Sequence, residues 1–269
     1  MTFSDLTLAR RLERAEATAG SRFVEARARI APHAGARWIE VDGVYAMFDG
    51  KDSPVTQTFG LGLFAEPTAA GLDQLEAFFL QAGAQVCHEV SPLAGVGIAD
   101  TLVARGYRPI EFTSVMHRPV VTAYAGPTGR IITRLLAPGE ESLWSRISAE
   151  GWSDNPEFRA YLLDLGAVAA ATEGTLSFLA ELDGKPIATG SLRCHADVAL
   201  FAGASTIPEA RNQGAQRALL EARMGQAQTA SCDLAMMCAA PGSASQRNAE
   251  RQGFRIAYTR TKWRLGPAI

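Results

Sequence analysis

Cysteine is scarce in this chain, and a long apolar run is missing altogether. Cys87, Cys194, Cys232 and Cys238 have no C-x-x-C spacing, which a thiolate metal site or a dithiol motif would show. We therefore expect buried free thiols and no bound metal. No apolar run approaches the roughly 20 residues that a transmembrane helix needs, so no membrane span is expected.

An excess of either charge is also missing, with 26 Lys and Arg against 28 Asp and Glu. A nucleic-acid partner or an anionic membrane surface requires a basic patch, so we expect neither partner. The segment from Leu6 to Arg14 has the pattern of a charged amphipathic helix and lacks the apolar centre of a secretory signal. A cytoplasmic location is therefore expected.

The sequence does contain an internal repeat. Apolar spacing predicts the same order in both halves: two helices, three strands, a helix, a strand, a helix and a strand. The segment 119–129 contains two prolines and two glycines and has the composition of a linker. We therefore expect a mixed α/β protein with one domain at residues 1–120 and another at residues 130–269.

Four local expectations concern the first half. Ser4 has the residue type of a helix N-cap, and Gly20-Ser21 is expected to separate the first helix from the second. Asp42-Gly43 predicts a tight hairpin turn between two strands. His88-Glu89 has no second histidine at metal-binding spacing, so this pair is expected at the surface.

The most informative stretch lies in the second half, between Thr206 and Leu220. An apolar run predicts a strand from Val198 to Ser205, and Pro208 prevents that strand from continuing. Apolar residues at helical spacing follow, so a short loop leads from the strand into a helix that starts near Arg211. The first N–H groups of a helix have no internal partner and lie at the positive end of its dipole. Such a junction predicts an anion site suited to phosphate.

This junction resembles the pyrophosphate loop of the GNAT N-acetyltransferases, whose pattern is Q/R-x-x-G-x-G/A after a strand. The segment reads Arg211-Asn212-Gln213-Gly214-Ala215-Gln216, so Gln216 departs from the family's last position. The resemblance covers nearly the whole chain. It implies two tandem GNAT-like acyl-CoA N-acyltransferase domains, each a splayed mixed sheet flanked by helices.

The resemblance also implies acetyl-CoA as co-substrate, with no metal. Its pyrophosphate would bind the N–H groups of residues 212–217, and its pantetheine arm would pair with the end of the preceding strand. Charge-assisted contacts would come from Arg211 or Arg217. The residues assigned to the cofactor are Ala204, Ser205, Thr206, Arg211, Asn212, Gln213, Gly214, Ala215, Gln216, Arg217 and Asn248.

The two halves differ at this loop. Aligned on Pro67 and Pro208, the first half has Ala70 in place of an arginine and Asp73 in place of Gly214. A carboxylate at that point would repel a pyrophosphate. Only the C-terminal half is therefore expected to bind CoA, and the N-terminal half is expected to be a degenerate copy.

The resemblance leaves the catalytic residues unassigned. In many relatives a tyrosine on the helix before the last strand protonates the leaving thiolate, and Ala249 occupies that position here. Asn248 is either a cofactor contact from the same helix or a solvated or capping side chain. His195 and Asp197 are either candidate general bases or ordinary turn residues.

Trp152 lies in the helical region that forms the acceptor side in this family. It is either a wall of the acceptor pocket or a core anchor. The implied reaction transfers an acetyl group from acetyl-CoA to a primary amine, in a small molecule or a peptide, by direct attack. The alternative is a non-catalytic acyl-CoA-binding sensor or interaction module, which the alanine in the tyrosine position favours. A monomer or a homodimer is expected.

Overall fold

The computed structural model describes residues 3–120, 129–152 and 159–266. The helices in these ranges are α1 (Leu6–Ile30), α2 (Ala69–Leu80), α3 (Val96–Ala104), α4 (Glu141–Trp152), α5 (Arg159–Ala170), α6 (Ala215–Thr229) and α7 (Ala244–Arg251). The strands are β1 (Arg37–Val41), β2 (Val44–Phe48), β3 (Gln57–Phe59), β4 (Cys87–Val90), β5 (Tyr107–Pro119), β6 (Ile131–Leu135), β7 (Thr175–Leu182), β8 (Lys185–His195), β9 (Val198–Thr206), β10 (Leu234–Ala239) and β11 (Arg255–Leu265). The predicted mixed α/β class is confirmed.

The chain divides into two compact units. Unit 1 comprises Met1–Met116, Cys238–Gln246 and Arg255–Ile269, and unit 2 comprises His117–Met237 and Arg247–Phe254. The last strand of the sequence, β11, therefore belongs to unit 1. The domain boundaries proposed from the sequence stay a prediction, and most of the expected linker, residues 121–128, lies outside the described residues.

Unit 1 contains strands in the order β1-β2-β3-β4-β11, with β5 next to β11. β1 and β2 form an antiparallel hairpin in which Val41 faces Val44. The turn residues Asp42 and Gly43 have φ angles of 50° and 82°, as the Asp-Gly signal predicts. β3 and β4 run parallel, whereas β11 pairs with β4 in the antiparallel sense.

Helix α1 is continuous, so the predicted break at Gly20-Ser21 is wrong. A Cβ on Gly20 would lie 2.4 Å from Sδ of Met47 on β2, so the glycine permits close packing of the helix on the sheet. The N-cap is also one residue later than predicted from Ser4. Asp5 caps the helix, with its carboxylate accepting a 2.8 Å hydrogen bond from the Leu8 N–H.

His88 and Glu89 are buried, so their expected place at the surface is wrong. The His88 ring lies between Thr58 Oγ1, 2.7 Å from Nδ1, and Tyr107 Oη, 3.0 Å from Nε2. Tyr107 donates its own proton to Glu76, so Nε2 carries the imidazole hydrogen and Nδ1 accepts from the threonine. Burial lowers the pKa of His88 to about 4, which keeps the ring neutral.

A buried ionic cluster connects α1 to the sheet of unit 1. Arg260 on β11 bonds Glu89 on β4 at 2.8 Å, and Glu16 and Glu13 on α1 at 2.6 Å and 3.4 Å. Tyr258 donates a 2.9 Å hydrogen bond to Oε1 of Glu13, while Oε2 of Glu13 is buried without a hydrogen-bond partner in the described part of the chain. Three carboxyl groups therefore share one guanidinium, and burial raises the pKa of Glu13 to about 7 although Arg260 opposes the rise.

The Glu13 carboxyl group should make stability depend on pH. A carboxyl group whose pKa is higher in the folded state gives stability that is complete at low pH and is lost as the pH rises from about 4.5 to about 7. Glu13→Gln imitates the neutral form at every pH. The variant should match wild type near pH 4.5 and exceed it by about 3 kcal/mol of unfolding free energy above pH 7.

Urea unfolding of wild type and Glu13→Gln at several pH values checks this prediction. The difference between the two proteins cancels the titration of His88, whose low pKa makes stability rise over an overlapping range of pH. A difference that stays constant between pH 4.5 and 7.5 would contradict the assignment of the buried proton to Glu13.

Unit 2 contains strands in the order β10-β9-β8-β7-β6, of which β9 and β10 are parallel and the other neighbours antiparallel. Helix α4 packs on β9 and β8 through Trp144, which is 1% exposed and donates to the Phe178 carbonyl at 3.1 Å. None of the described helices combines the length and apolarity needed to cross a bilayer.

The four cysteines are free thiols, but they are not all buried as expected. Cys87 and Cys232 are buried, Cys238 is half-buried and Cys194 is exposed. Cys194 is the penultimate residue of β8, next to the turn into β9, where the strand leaves the core.

Candidate functional site

The parallel strands β9 and β10 stay paired only at their beginning. Their register ends at the pair Leu200–Met236, yet β9 continues to Thr206. Burial changes at the same place, because Phe201 is buried whereas Ala202 is exposed in the middle of the strand. We call residues 201–206 on this unpaired side the open edge of β9, and this edge is the splay expected from the sequence.

A β-bulge interrupts β9 within its open edge. Thr189 faces Ser205 and Ser191 faces Ala202, so one residue of β8 opposes two residues of β9 between these pairs. The bulge is possible because Gly203 adopts a left-handed φ of 60°. A lone glycine within an apolar strand is the sequence signal for such a bulge, and our sequence reasoning missed it.

At the bulge, two successive backbone carbonyls accept hydrogen bonds from side chains. The Ala202 carbonyl accepts a 3.4 Å hydrogen bond from Arg223 Nη1, and the Gly203 carbonyl accepts one of 3.1 Å from Thr189 Oγ1. Thr189 belongs to β8, whereas Arg223 belongs to α6. Because the C=O and N–H of a trans peptide point in opposite directions, the N–H groups of Gly203 and Ala204 point away from these two donors.

The loop after β9 leads into α6 through two left-handed residues. A single 3₁₀ turn, Pro208–Ala210, is followed by Asn212 with a φ of 64° and Gly214 with a φ of 91°. These two angles are incompatible with a helix, so α6 begins at Ala215 and the predicted start at Arg211 is wrong. The first internal bond of α6 runs from the Ala218 N–H to the Gly214 carbonyl at 3.0 Å.

This geometry makes the mouth of α6 suitable for an anion. The amides of residues 215–217 precede the first internal helix bond and lie at the positive end of the dipole. Gly214, at the N-cap, has no side-chain cap, and nothing lies within 4 Å of the place where its Cβ would be. The backbone can therefore be approached closely at this point.

Several side chains that were predicted to contact the cofactor bond other groups of the protein in this structure. Arg211 Nη2 donates a 3.2 Å hydrogen bond to the Gly151 carbonyl, and its Nε donates one of 3.5 Å to the Thr206 carbonyl. Gln216 Nε2 donates to Thr206 Oγ1 at 2.9 Å, so the residue that departs from the family pattern fastens the helix to the strand end. Arg217 is exposed and pairs with Glu221 at 2.7 Å, and its hydrogen bond to that carboxylate raises its pKa.

The end of α4 lies against the end of β9. A Cβ on Gly151 would be 2.8 Å from the Thr206 backbone nitrogen and 2.7 Å from Ser205 Oγ, so only glycine allows this approach. Trp152, the next residue, is 60% exposed. This exposure excludes the core-anchor interpretation.

Helix α7 carries the predicted cofactor contact and the position of the missing tyrosine. Asn248 is half-buried and accepts a 3.1 Å hydrogen bond from Arg251 Nη1 on the same helix. Ala249 is completely buried, so its position offers no group to the open edge of β9. His195 and Asp197 flank the start of β9, roughly 16 Å of strand from Gly203, so neither can act there as a base.

The corresponding junction in unit 1 has no loop of this kind. Helix α2 begins two residues after Pro67, and its N-cap, Thr68, accepts a 3.0 Å hydrogen bond from the Gly71 N–H. Oδ2 of Asp42 would lie 3.0 Å from a Gly71 Cβ, and the neighbouring cavity measures only about 10 Å³. Asp73 lies within α2, where it pairs with an arginine rather than facing the helix mouth.

Solved structures of acetyltransferases resemble this chain in fold. The GCN5-related N-acetyltransferase from Kribbella flavida superposes with a TM-score of 0.65 at 16% identity, covering 93% of this chain and 96% of its own. The chain has the GNAT fold. The tandem GNAT protein from the clavulanic acid biosynthesis pathway superposes with a TM-score of 0.58 at 12% identity, covering 84% of this chain and 79% of its own.

A second GCN5-related N-acetyltransferase, from Sphaerobacter thermophilus, has a TM-score of 0.56 at 18% identity and covers 79% of this chain and 73% of its own. No protein-family model and no curated protein matches the sequence. The resemblance drawn from the loop is therefore confirmed as a likeness of fold. Within the described ranges, His, Cys, Asp and Glu side chains nowhere gather in a group of three that could hold a metal ion.

Proposed function

We propose that unit 2 is an acetyl-CoA-dependent N-acetyltransferase. The proposal is supported by three features that follow one another along β9 and α6 in a chain with the GNAT fold. They are an open strand edge, a bulge and a helix N-terminus without a side-chain cap. The residues proposed to contact the cofactor are Ala204, Ser205, Thr206, Arg211, Asn212, Gln213, Gly214, Ala215, Gln216, Arg217 and Asn248.

The pyrophosphate of CoA would bind at the mouth of α6. The amides of residues 212–217 supply donors, and the helix dipole favours the negative charge. Arg217 is itself exposed and can swing from its half-buried partner Glu221, because an i,i+4 ion pair at the surface contributes little to stability. Arg211 keeps the loop in place through its carbonyl contacts, so its effect on the pyrophosphate is electrostatic.

The pantetheine arm would lie along the open edge of β9, where backbone groups lack a partner strand. The thioester would then reach the bulge, with its carbonyl oxygen at the N–H groups of Gly203 and Ala204. Two such donors stabilise the negative charge that develops on this oxygen in the transition state.

The reaction would be a direct transfer. The amine nitrogen attacks the thioester carbon, the C–N bond forms, and the C–S bond breaks to release CoA thiolate. The ammonium proton is lost to solvent or to the departing sulfur, because Ala249 provides no acid. Alignment of the two reactants can supply much of the rate acceleration. The catalytic residues remain unassigned.

The acceptor would be a primary amine, in a small molecule or a peptide, and would enter beside Trp152. An exposed indole can pack on an apolar substrate surface and attract a cationic amine. A cytoplasmic location and a monomeric or homodimeric state are part of the same proposal.

The alanine at position 249, which provides no general acid, favours a second candidate, an acyl-CoA-binding sensor without turnover. Calorimetry with acetyl-CoA, followed by a thiol-release assay with a panel of primary amines, distinguishes the two. Binding with release supports the transferase, and binding without release for any amine supports the sensor. Absence of binding would contradict both.

A further inference from the structure

Arg223 on α6 is a buried cation without a buried anion. Its side chain is 1% exposed, and in the part of the chain that the structure describes it bonds only backbone carbonyls. Nε donates to Leu219 at 3.0 Å, and Nη1 donates to Ser191 at 3.3 Å and Ala202 at 3.4 Å. The guanidinium also lies 4.9 Å from the centre of the Phe201 ring. Burial lowers the pKa of Arg223 to about 9, so the group is still protonated at neutral pH.

The guanidinium fills the space behind the bulge of β9. Gly190 is the residue of β8 that opposes the two extra residues, and a Cβ there would lie 3.2 Å from Cζ of Arg223. Nη1 bridges the carbonyls of Ser191 on β8 and Ala202 on β9, which flank the bulge. The arginine thus supplies donors where the ladder between the strands is interrupted.

We infer that Arg223 is a positioning residue that holds the bulge and strengthens the Gly203 N–H as a donor to the thioester carbonyl. A cation that bonds the Ala202 carbonyl polarises the peptide between Ala202 and Gly203, so its N–H becomes more acidic. In a dry interior this effect is not screened by solvent. The inference rests on the proposed function, because the thioester is the group that the amide would polarise.

The stability of the fold does not require this charge. An unpaired buried cation carries a desolvation cost, and replacing buried charges by apolar residues of similar volume is often neutral or stabilising. Methionine has a similar length and no charge. Arg223→Met should therefore remain folded while losing the polarisation, although three carbonyls lose a side-chain donor.

Infrared difference spectra of acetyl-CoA labelled with carbon-13 at the carbonyl test the inference without knowledge of the acceptor. Polarisation weakens the C=O bond and lowers its stretching frequency. The band of acetyl-CoA bound to wild type should lie below that of free acetyl-CoA, and in Arg223→Met it should return towards the free value. The dissociation constant for CoA should change less than threefold, and turnover with any active amine should fall about 10- to 100-fold.

Gly190→Ala and Arg223→Lys are gentler variants, which decide the question if Arg223→Met does not fold. The alanine displaces the guanidinium by a few tenths of an ångström without removing it, and lysine keeps the charge with a smaller set of donors. Both should shift the band in the same direction by a smaller amount. Bound acetyl-CoA with an unchanged band in all folded variants overturns the role of Arg223 alone, whereas wild type that does not bind acetyl-CoA overturns the proposed function.

Discussion

Replacing Gly214 with aspartate is expected to abolish CoA binding while unit 2 stays folded. Gly214 is the N-cap of α6, and nothing lies within 4 Å of its missing Cβ, so the carboxylate would point into the space proposed for the pyrophosphate. Like charges in contact cost several kcal/mol, so the dissociation constant for CoA should rise at least about 100-fold. Aspartate at an N-cap favours helix formation, which limits damage to the fold despite the φ of 91°.

Calorimetric titration with CoA checks the result, and Gly184→Asp is the matched control. Gly184 also lies in unit 2, has a φ of 75° and has nothing within 4 Å of its missing Cβ, but it lies in the exposed turn between β7 and β8. The control adds the same charge and the same backbone strain away from α6. Equal binding by Gly214→Asp and Gly184→Asp would contradict the assignment of the pyrophosphate to this helix mouth.

Replacing Arg260 with methionine should produce the largest loss of stability in unit 1. Arg260 is the shared partner of Glu13, Glu16 and Glu89, and its side chain is 3% exposed. Without it, three buried carboxyl groups must remain unpaired or take up protons. Removal of one partner from a buried ion pair typically costs about 3–5 kcal/mol, and we expect a loss of this size at pH 8.

Urea unfolding measures the loss, and Arg22→Met provides a control on α1. Arg22 pairs with Glu25 at 2.7 Å in an exposed ion pair, so its replacement should cost less than about 1 kcal/mol. The loss for Arg260→Met should be smaller at pH 5, where the carboxyl groups take up protons more easily. Adding Glu16→Gln to Arg260→Met should recover part of the lost unfolding free energy. An equal loss at both pH values would show that packing, rather than charge, holds the cluster together.

Local signals in the sequence predicted the elements that depend on neighbouring residues. Asp42-Gly43 predicted a hairpin turn correctly, because a tight turn with two left-handed residues favours Asp-Gly in any protein. The loop before α6 could be located in the same way from Pro208 and Gly214. The start of α6 could not, since nothing in the sequence shows that Asn212 adopts a left-handed conformation.

Features that depend on distant residues were missed for a physical reason. Glu13, Glu89 and Arg260 are far apart along the chain, and each alone has the character of a surface residue. The pairing of β11 with β4 and the packing of α1 on the sheet bring their charges together, and neither is encoded in local spacing. Arg223 was missed likewise, because a single arginine on an amphipathic helix is ordinarily solvated.

Hydrogen–deuterium exchange with and without CoA tests the central claim most directly. The account predicts slower exchange of the amides in residues 202–206 and 212–218, which form the open edge of β9 and the mouth of α6. Residues 68–76, at the start of α2 in unit 1, should exchange at the same rate in both conditions. Protection of residues 68–76 instead, or CoA binding without protection of residues 212–218, would contradict the account.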